Sequence, residues 1–226
     1  YINSANIAVV FPLIKGRRMK LFSTLMGKQT LLPIIQANTI EEGVEIAKAM
    51  SAAGINLVEV VLRTEASIDI IKALKNQLPD LKVGAGTIIN ADVLNDAIDA
   101  GSDFIVTPTI SKDLLTHLAK VNVPVLPGVS NASDILLASE FGYTEVKLFP
   151  ASLSGGSSFL KAMGSVFQEI VFCPTGGVNA NNQKEFLDLV NVFAVGGTWI
   201  SSPEWVKNED WSSITKACKS ALAVSK

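Results

Sequence analysis

The sequence predicts an α/β fold, a closed TIM (β/α)8 barrel entered through a short N-terminal lead-in helix. Two observations carry that prediction. From Leu31 onward, a short apolar run and an amphipathic stretch alternate with a period of about twenty to twenty-five residues. The apolar runs are also rich in Val, Ile and Leu throughout, as in strands buried on both faces. Eight such units in about 200 residues fit a closed parallel barrel. An open doubly wound sheet is the runner-up. Against it, the chain has no GxGxxG after its first strand and no GxxxxGK[ST] anywhere.

In order, the expected strands are Leu31–Ile35, Leu57–Leu62, Leu81–Val83, Phe104–Val106, Val123–Leu126, Glu145–Phe149, Ile170–Cys173 and Val192–Val195. Thr39-Ile40-Glu41-Glu42 resembles a capping box that starts the first crossover helix. Asn90, Ser111, Asn131 and Asn179 stand where later helices need N-caps. Gly54, Gly101 and Gly142 stand where helices end. Ser154–Gln168 is the least regular crossover, Ser212–Ser225 supplies the last helix, and Met19–Gly27 supplies the lead-in.

Composition sets the class. The chain has 226 residues, 48% hydrophobic and 18% charged, enough for one large core. Nineteen basic and twenty-one acidic side chains leave a net charge of −2, so there is no electrostatic footprint for nucleic acid. The longest apolar runs fall far short of the ~18 residues of a membrane span. Cys173 and Cys218 cannot staple a fold of this size, and a reducing cytoplasmic setting follows. A single histidine, His117, excludes a metal site built from several imidazoles. The apolar octet Ile7–Ile14 precedes its basic residues, Lys15, Arg17 and Arg18, the reverse of a secretory signal. Met19-Lys20-Leu21-Phe22 reads like a natural start, so residues 1–18 read as an N-terminal extension and 19–226 as one barrel domain.

Barrel enzymes place their chemistry at the carboxyl ends of the strands. Glu59 and Arg63 on the second strand, Thr87 after the third, Thr107-Pro108-Thr109 after the fourth and Lys147 in the sixth converge there. Thr175-Gly176-Gly177 and Gly196-Gly197-Thr198 join them after the seventh and eighth. Lys147 is the sharpest feature. Alternation along Glu145–Phe149 sends 146 and 148 one way and 145, 147 and 149 the other, so Lys147 points inward if Val146 and Leu148 pack on helices. A buried lysine is costly unless paired, and desolvation favours the neutral amine that attacks a ketone. The bland alternative is an ion pair with Glu145 or Glu59 for structure alone.

Glu59 shares the inward parity and suits a proton shuttle. Glu145 lies a layer deeper, which suits structure. Arg63 is the chain's one arginine outside the N-terminal extension, roughly 13 Å beyond Glu59 along an extended strand. Its planar fork suits a carboxylate. The paired glycines after the seventh and eighth strands suit a phosphate, because backbone N–H groups approach an anion closely where no Cβ intervenes. Cys173 reads as a small core residue, and Cys218 lies in the last helix.

These residues fall into longer motifs. Gly142–Gly155 (GYTEVKLFPASLSG) and Gly54–Thr64 (GINLVEVVLRT) are accompanied in order by Gly84-Ala-Gly-Thr87, Leu126-Pro-Gly128, Pro174-Thr-Gly-Gly177 and Gly196-Gly-Thr-Trp199. The chain from about Met19 to its C-terminus thereby resembles the 2-keto-3-deoxy-6-phosphogluconate (KDPG)/4-hydroxy-2-oxoglutarate (KHG) aldolases, class I pyruvate aldolases on this barrel. The resemblance implies that Lys147 forms an imine and Glu59 is the general acid/base. It implies that Arg63 and Thr87 hold the pyruvate carboxylate, that Pro108 and Phe149 shape the imine pocket, and that Thr175 lies against the substrate chain. Gly176, Gly177, Gly197 and Thr198 would take the distal phosphate. It further implies a cytoplasmic homotrimer with no metal or cofactor, acting on phosphorylated 2-keto acids to release pyruvate. Departures are Val61 and Thr198 where threonine and serine are usual, Thr107-Pro-Thr109 for Ser-Pro-Gly, and Asn131-Ala132 for Thr-Pro. Val61 bears on the preferred substrate: the gluconate derivative, its galactonate epimer or 4-hydroxy-2-oxoglutarate. Rival readings are a phosphate-binding isomerase or decarboxylase with an electrostatic Lys147, and a silent ligand-binding subunit.

Overall fold

The computed structural model describes residues 13–14, 17–18 and 20–224. The expected N-terminal extension lies outside the described residues, except for β1 (Leu13–Ile14) paired antiparallel with β2 (Arg17–Arg18). From there the chain runs α1 (Phe22–Met26), β3 (Leu31–Ile35), α2 (Ile40–Ser51), β4 (Leu57–Val61), α3 (Ser67–Gln77), β5 (Lys82–Gly86), α4 (Ala91–Asp99) and β6 (Phe104–Val106). It continues α5 (Lys112–Leu118), β7 (Val125–Leu126), β8 (Gly128–Val129), α6 (Ala132–Glu140), β9 (Glu145–Leu148) and α7 (Gly156–Val166). The last elements are β10 (Val171–Pro174), α8 (Gln183–Leu187), β11 (Val195–Gly197), α9 (Pro203–Lys207) and α10 (Trp211–Leu222).

The fold is α/β with parallel sheets. Six strands pair in the order β11-β3-β4-β5-β6-β7, and three more in the order β10-β9-β8. The two sheets adjoin at Pro127, which has no N–H for a ladder, so one extended run divides into β7 and β8. Pro127 still contributes its carbonyl, which accepts from Lys147 N at 2.8 Å. On the other side, the parallel bridges Phe172↔Val192 and Thr175↔Gly196 connect β10 to the chain of β11.

Several expected boundaries shift. The fifth strand starts at Val125 rather than Val123 and resumes past Pro127, and the third extends from Lys82 to Gly86. The seventh spans Val171–Pro174. The eighth is Val195–Gly197 rather than Val192–Val195, because its partner is Leu31–Pro33, while Val192 meets only Phe172. The lead-in helix narrows to Phe22–Met26, and the last helix ends at Leu222 behind the extra α9.

Thr39, Asn90, Ser111 and Asn131 each accept a backbone N–H from the first turn of their helices. Asn179 does not cap α8. Its Oδ1 accepts from Asn181 N, Asn182 Oδ1 accepts from Asn179 N, and Asn182 Nδ2 donates to Gly177 O. These local side-chain bonds compete with helix and delay its start to Gln183.

Two cores result. The outer one lies between strands and helices, where Val58, Val60 and Val83 meet Ile46, Met50, Ile70, Ile71 and Leu74. The inner one holds Leu32, Leu57, Phe104, Val106, Leu126 and Cys173 against Phe22 and Met26 of α1. The Phe22 and Phe104 rings meet edge-on, 5.1 Å between centroids. The lead-in helix is thus a plug at the amino ends of the strands, and full burial of a ring such as Phe22 is worth about 1.5–3 kcal/mol. No helix among the described residues is long and apolar enough to cross a membrane.

Candidate active site

The inner face changes character toward the carboxyl ends of the strands. Glu59, in the middle of β4, is fully buried. Its room comes from Gly86 on β5, where any Cβ would overlap Glu59 Oε1. Lys147 on β9 points into the same space. Its Nζ donates to Glu59 Oε1 at 3.1 Å, with Oε2 at 3.4 Å, and the two side chains are 6% and 0% exposed. Of the two carboxylates left open by the sequence, the partner is therefore Glu59. Glu145 lies toward α1 and accepts from Ser23 N at 2.9 Å and from Ser23 Oγ. An ion pair this buried is a poor device for stability alone, since desolvating both charges offsets most of their attraction.

Lys147 Nζ stands 5.5 Å from the centroid of the Phe149 ring. Cys173 is in register with Lys147 across β9 and β10. Burial pushes its thiol up to about 12, with the Lys147 charge pulling the other way. It is a core neighbour of the amine rather than a second nucleophile.

Beyond β4 the chain bends at Leu62 and reaches Arg63, whose Nε donates to Thr87 Oγ1 at 3.1 Å. Thr87 has a φ of 66°, a left-handed conformation rare for a β-branched residue. Nothing in the sequence signals that strain, which sits at the residue orienting the arginine. Thr175 is buried at the end of β10. Gly176 and Gly177 follow with φ of 89° and 82°. A Cβ on Gly177 would overlap Ser152 Oγ, so this turn admits no side chain.

A cavity of about 180 Å³ gathers these groups. Arg63, Lys147, Phe149, Thr175, Gly176, Gly177, Gly197 and Thr198 line it. Ile34, Val61 and Val178 add apolar wall, and the first and last of these carried no polar signal in the sequence. Thr87 reaches the cavity through Arg63. Pro108 is not part of this lining. Its carbonyl group sits against Gly128, where any Cβ would strike the Thr107 and Pro108 backbone. A larger cleft of about 910 Å³ shares only Thr198 and is lined by surface groups such as Glu41, Glu42, Glu45 and Lys207. It contains neither Lys147 nor Arg63, which meet in the small cavity; Glu59 is not in that lining and adjoins it through its contact with Lys147.

Among the described residues no cluster of His, Cys, Asp and Glu could hold a metal ion. What the cavity offers instead is an amine beside a carboxylate, with a guanidinium on one side and unobstructed backbone on the other.

Comparison with known proteins agrees with that chemistry. Residues 23–217 match the KDPG and KHG aldolase family. A 2-dehydro-3-deoxy-phosphogluconate aldolase of Pseudoalteromonas atlantica is 41% identical over 193 residues, 85% of this chain and 90% of its own. The KDPG aldolase of Legionella pneumophila, solved with pyruvate captured at low pH as a covalent carbinolamine intermediate, superposes with a TM-score of 0.86 at 38% identity. That match covers 88% of this chain and 97% of the other. The Zymomonas mobilis ZM4 2-keto-3-deoxy-6-phosphogluconate aldolase, solved with 3-phosphoglycerate, gives a TM-score of 0.83 at 36% identity, covering 90% and 95%. Family match, identity and coverage lead to one conclusion: the chain belongs to the KDPG and KHG aldolase family.

Proposed function

We propose that this chain is a metal-independent class I aldolase that cleaves 2-dehydro-3-deoxy-6-phosphogluconate to pyruvate and glyceraldehyde 3-phosphate, and 4-hydroxy-2-oxoglutarate to pyruvate and glyoxylate. The observation that carries it is the buried Lys147–Glu59 pair at 3.1 Å, at the inner end of a cavity also walled by Arg63 and the paired glycines. Lys147 gives a proton to Glu59, and the free amine attacks the C2 ketone to form a carbinolamine. Glu59 returns that proton to the carbinolamine hydroxyl, which leaves as water, so that a protonated imine and an ionised Glu59 remain. That cation accepts the electron pair of the breaking C3–C4 bond while Glu59, directly or through water, takes the C4 hydroxyl proton. The aldehyde departs, the enamine takes a proton at C3, and hydrolysis frees pyruvate and the lysine.

Arg63, steadied by Thr87, anchors the carboxylate. Backbone N–H groups at Gly176, Gly177 and Gly197, with the Thr198 hydroxyl, take the phosphate. Holding the substrate at both ends fixes its orientation, which is worth several kcal/mol of barrier, up to about 7–11 in the best-oriented cases. Phe149 forms a wall beside the imine. The carbinolamine trapped in the Legionella relative supports the first step. The 3-phosphoglycerate in the Zymomonas relative supports an anion site.

The same reading takes residues 19–226 as one closed eight-stave barrel. Pro127 would join the two sheets on one side and the bridges at Val192 and Gly196 on the other. It places the enzyme in the cytoplasm as a homotrimer. The test is intact mass and peptide mapping after incubation with pyruvate and borohydride. A reduced pyruvyl adduct on Lys147 is expected, absent in Lys147→Arg, which also loses turnover. Glu59→Gln slows turnover and still traps an adduct. Turnover retained in Lys147→Arg overturns the assignment.

A further inference from the structure

Lys147 shares the interior with a second carboxylate that the chemistry above does not use. Glu145 is two residues earlier on β9, on the same face, so the Cβ atoms of the two residues lie about 7 Å apart. Both side chains are long enough to meet across that distance. Glu145 is buried, and its charge is felt at the Cys173 thiol, the side chain in register with Lys147. Nevertheless it makes no bond to Lys147. Both carboxylate oxygens are taken by one residue of the plug helix, through the backbone N–H and hydroxyl of Ser23.

The charged and titratable groups around the amine are Glu59 from β4, Glu145 from its own strand, Cys173 from β10 and Arg63 beyond β4. Lys20 lines a small recess with Glu145, but its ammonium donates to Asn122 O at 2.8 Å. Ser23 is therefore the group that decides where the Glu145 charge rests.

We propose that Ser23 is a latch: by holding the Glu145 carboxylate at the amino end of the interior, it keeps a second negative charge off Lys147 and leaves Glu59 alone to govern the amine's proton. Ser23 and Glu145 are then positioning residues for imine formation, and the inference rests on the imine-forming reading of Lys147. Without the serine hydroxyl only the Ser23 backbone N–H still holds Glu145, and the oxygen released from the hydroxyl can turn toward Lys147. A second carboxylate at contact distance holds the lysine as ammonium, the form that cannot attack a ketone.

The experiment is the rate of borohydride-trapped pyruvyl adduct formation against pH in Ser23→Ala. The acid limb is expected to move up by about one pH unit, so that trapping slows about tenfold below the limb and is unaltered on the plateau. Ser23→Thr, which keeps the hydroxyl, restores the limb. In a Glu145→Gln background the displacement caused by Ser23→Ala disappears, because no charge remains to be released. An unmoved limb in Ser23→Ala, an equal displacement in the Glu145→Gln background, or a lowered plateau without displacement overturns the latch. The wild-type chain separates the two readings. If it traps no adduct, the aldolase reading fails and the latch with it; an adduct on Lys147 with an unmoved limb sinks the latch alone.

Discussion

Thr87 is the position where backbone and chemistry pull in opposite directions. Its φ of 66° places a β-branched residue in the left-handed region, where an L side chain crowds its own carbonyl and costs roughly 1–2 kcal/mol. Its hydroxyl accepts from Arg63 Nε at 3.1 Å, a bond worth about 0.5–1.5 kcal/mol net. Replacing Thr87 with Ala or Gly removes the hydroxyl in both cases, so the two variants differ only in the Cβ. At an ordinary position Gly is less stable than Ala by about 0.5–1 kcal/mol, because its unfolded chain is freer. At Thr87 the order reverses. Glycine relieves the strain, and after the entropy cost of glycine is subtracted Thr87→Gly is expected to exceed Thr87→Ala in stability by about 0.5–1 kcal/mol.

Urea unfolding with matched m-values measures that difference. In thermal melts it corresponds to roughly 2–4 °C for each kcal/mol in a chain of this size. Activity should run the other way. Both variants lose the acceptor that orients the guanidinium, and both raise KM, with Gly the weaker enzyme because the turn itself is loosened. The result that refutes this reasoning is an alanine variant as stable as the glycine variant or more so. That would mean the left-handed turn carries no strain for the site to use.

Two further outcomes follow from the interior. Gly86→Ala drives a Cβ into the Glu59 carboxylate, so it should cost about 1–3 kcal/mol by overpacking and at least an order of magnitude in kcat, read by unfolding and steady-state kinetics. Burial raises the thiols of Cys173 and Cys218 from 9.0 to about 12. Between those values the unfolded chain has lost thiol protons that the folded chain keeps, so stability falls as pH rises from about 9 toward 12. Cys173→Val with Cys218→Val should flatten that part of a stability–pH curve, and an unchanged slope would count against the buried-thiol account.

Much of this was legible because parity and period are local. The alternation in Glu145–Phe149 identifies which residues face inward, and the same argument puts Glu59 and Val61 on one wall. What escaped is non-local or conformational. Glu145 and Glu59 look alike as partners for Lys147, and the choice between them depends on Ser23, 122 residues away in sequence from Glu145. A non-glycine residue in a left-handed turn leaves no mark in composition, so the strain at Thr87 is invisible until φ is known. Pro127 could have announced the break between β7 and β8, since it removes a ladder donor. Asn179 looks like any other N-cap, and only the competing bonds from Asn181 and Asn182 displace the start of α8. Pro108 follows β6 but is not in the lining of the small cavity, and position along the chain alone cannot say which strand-end residues line it.

The interior also explains why a single histidine, and no metal-holding cluster among the described residues, are no handicap to the chemistry proposed here. A metal would polarise the ketone from outside. An imine does so from within the substrate, and needs only a lysine whose proton can leave. That requirement is strict in a low-dielectric interior, where each extra carboxylate within reach of the amine favours the ammonium. The chain carries two such carboxylates on the inner face, and it uses them differently. Glu59 is given room beside the amine by the missing side chain of Gly86. Glu145 is drawn to the opposite end by a helix whose apolar residues, Phe22 and Met26, already fix it in the inner core. The plug helix is thus coupled to the amine through a single carboxylate, and packing at the amino ends of the strands bears on reactivity at the carboxyl ends.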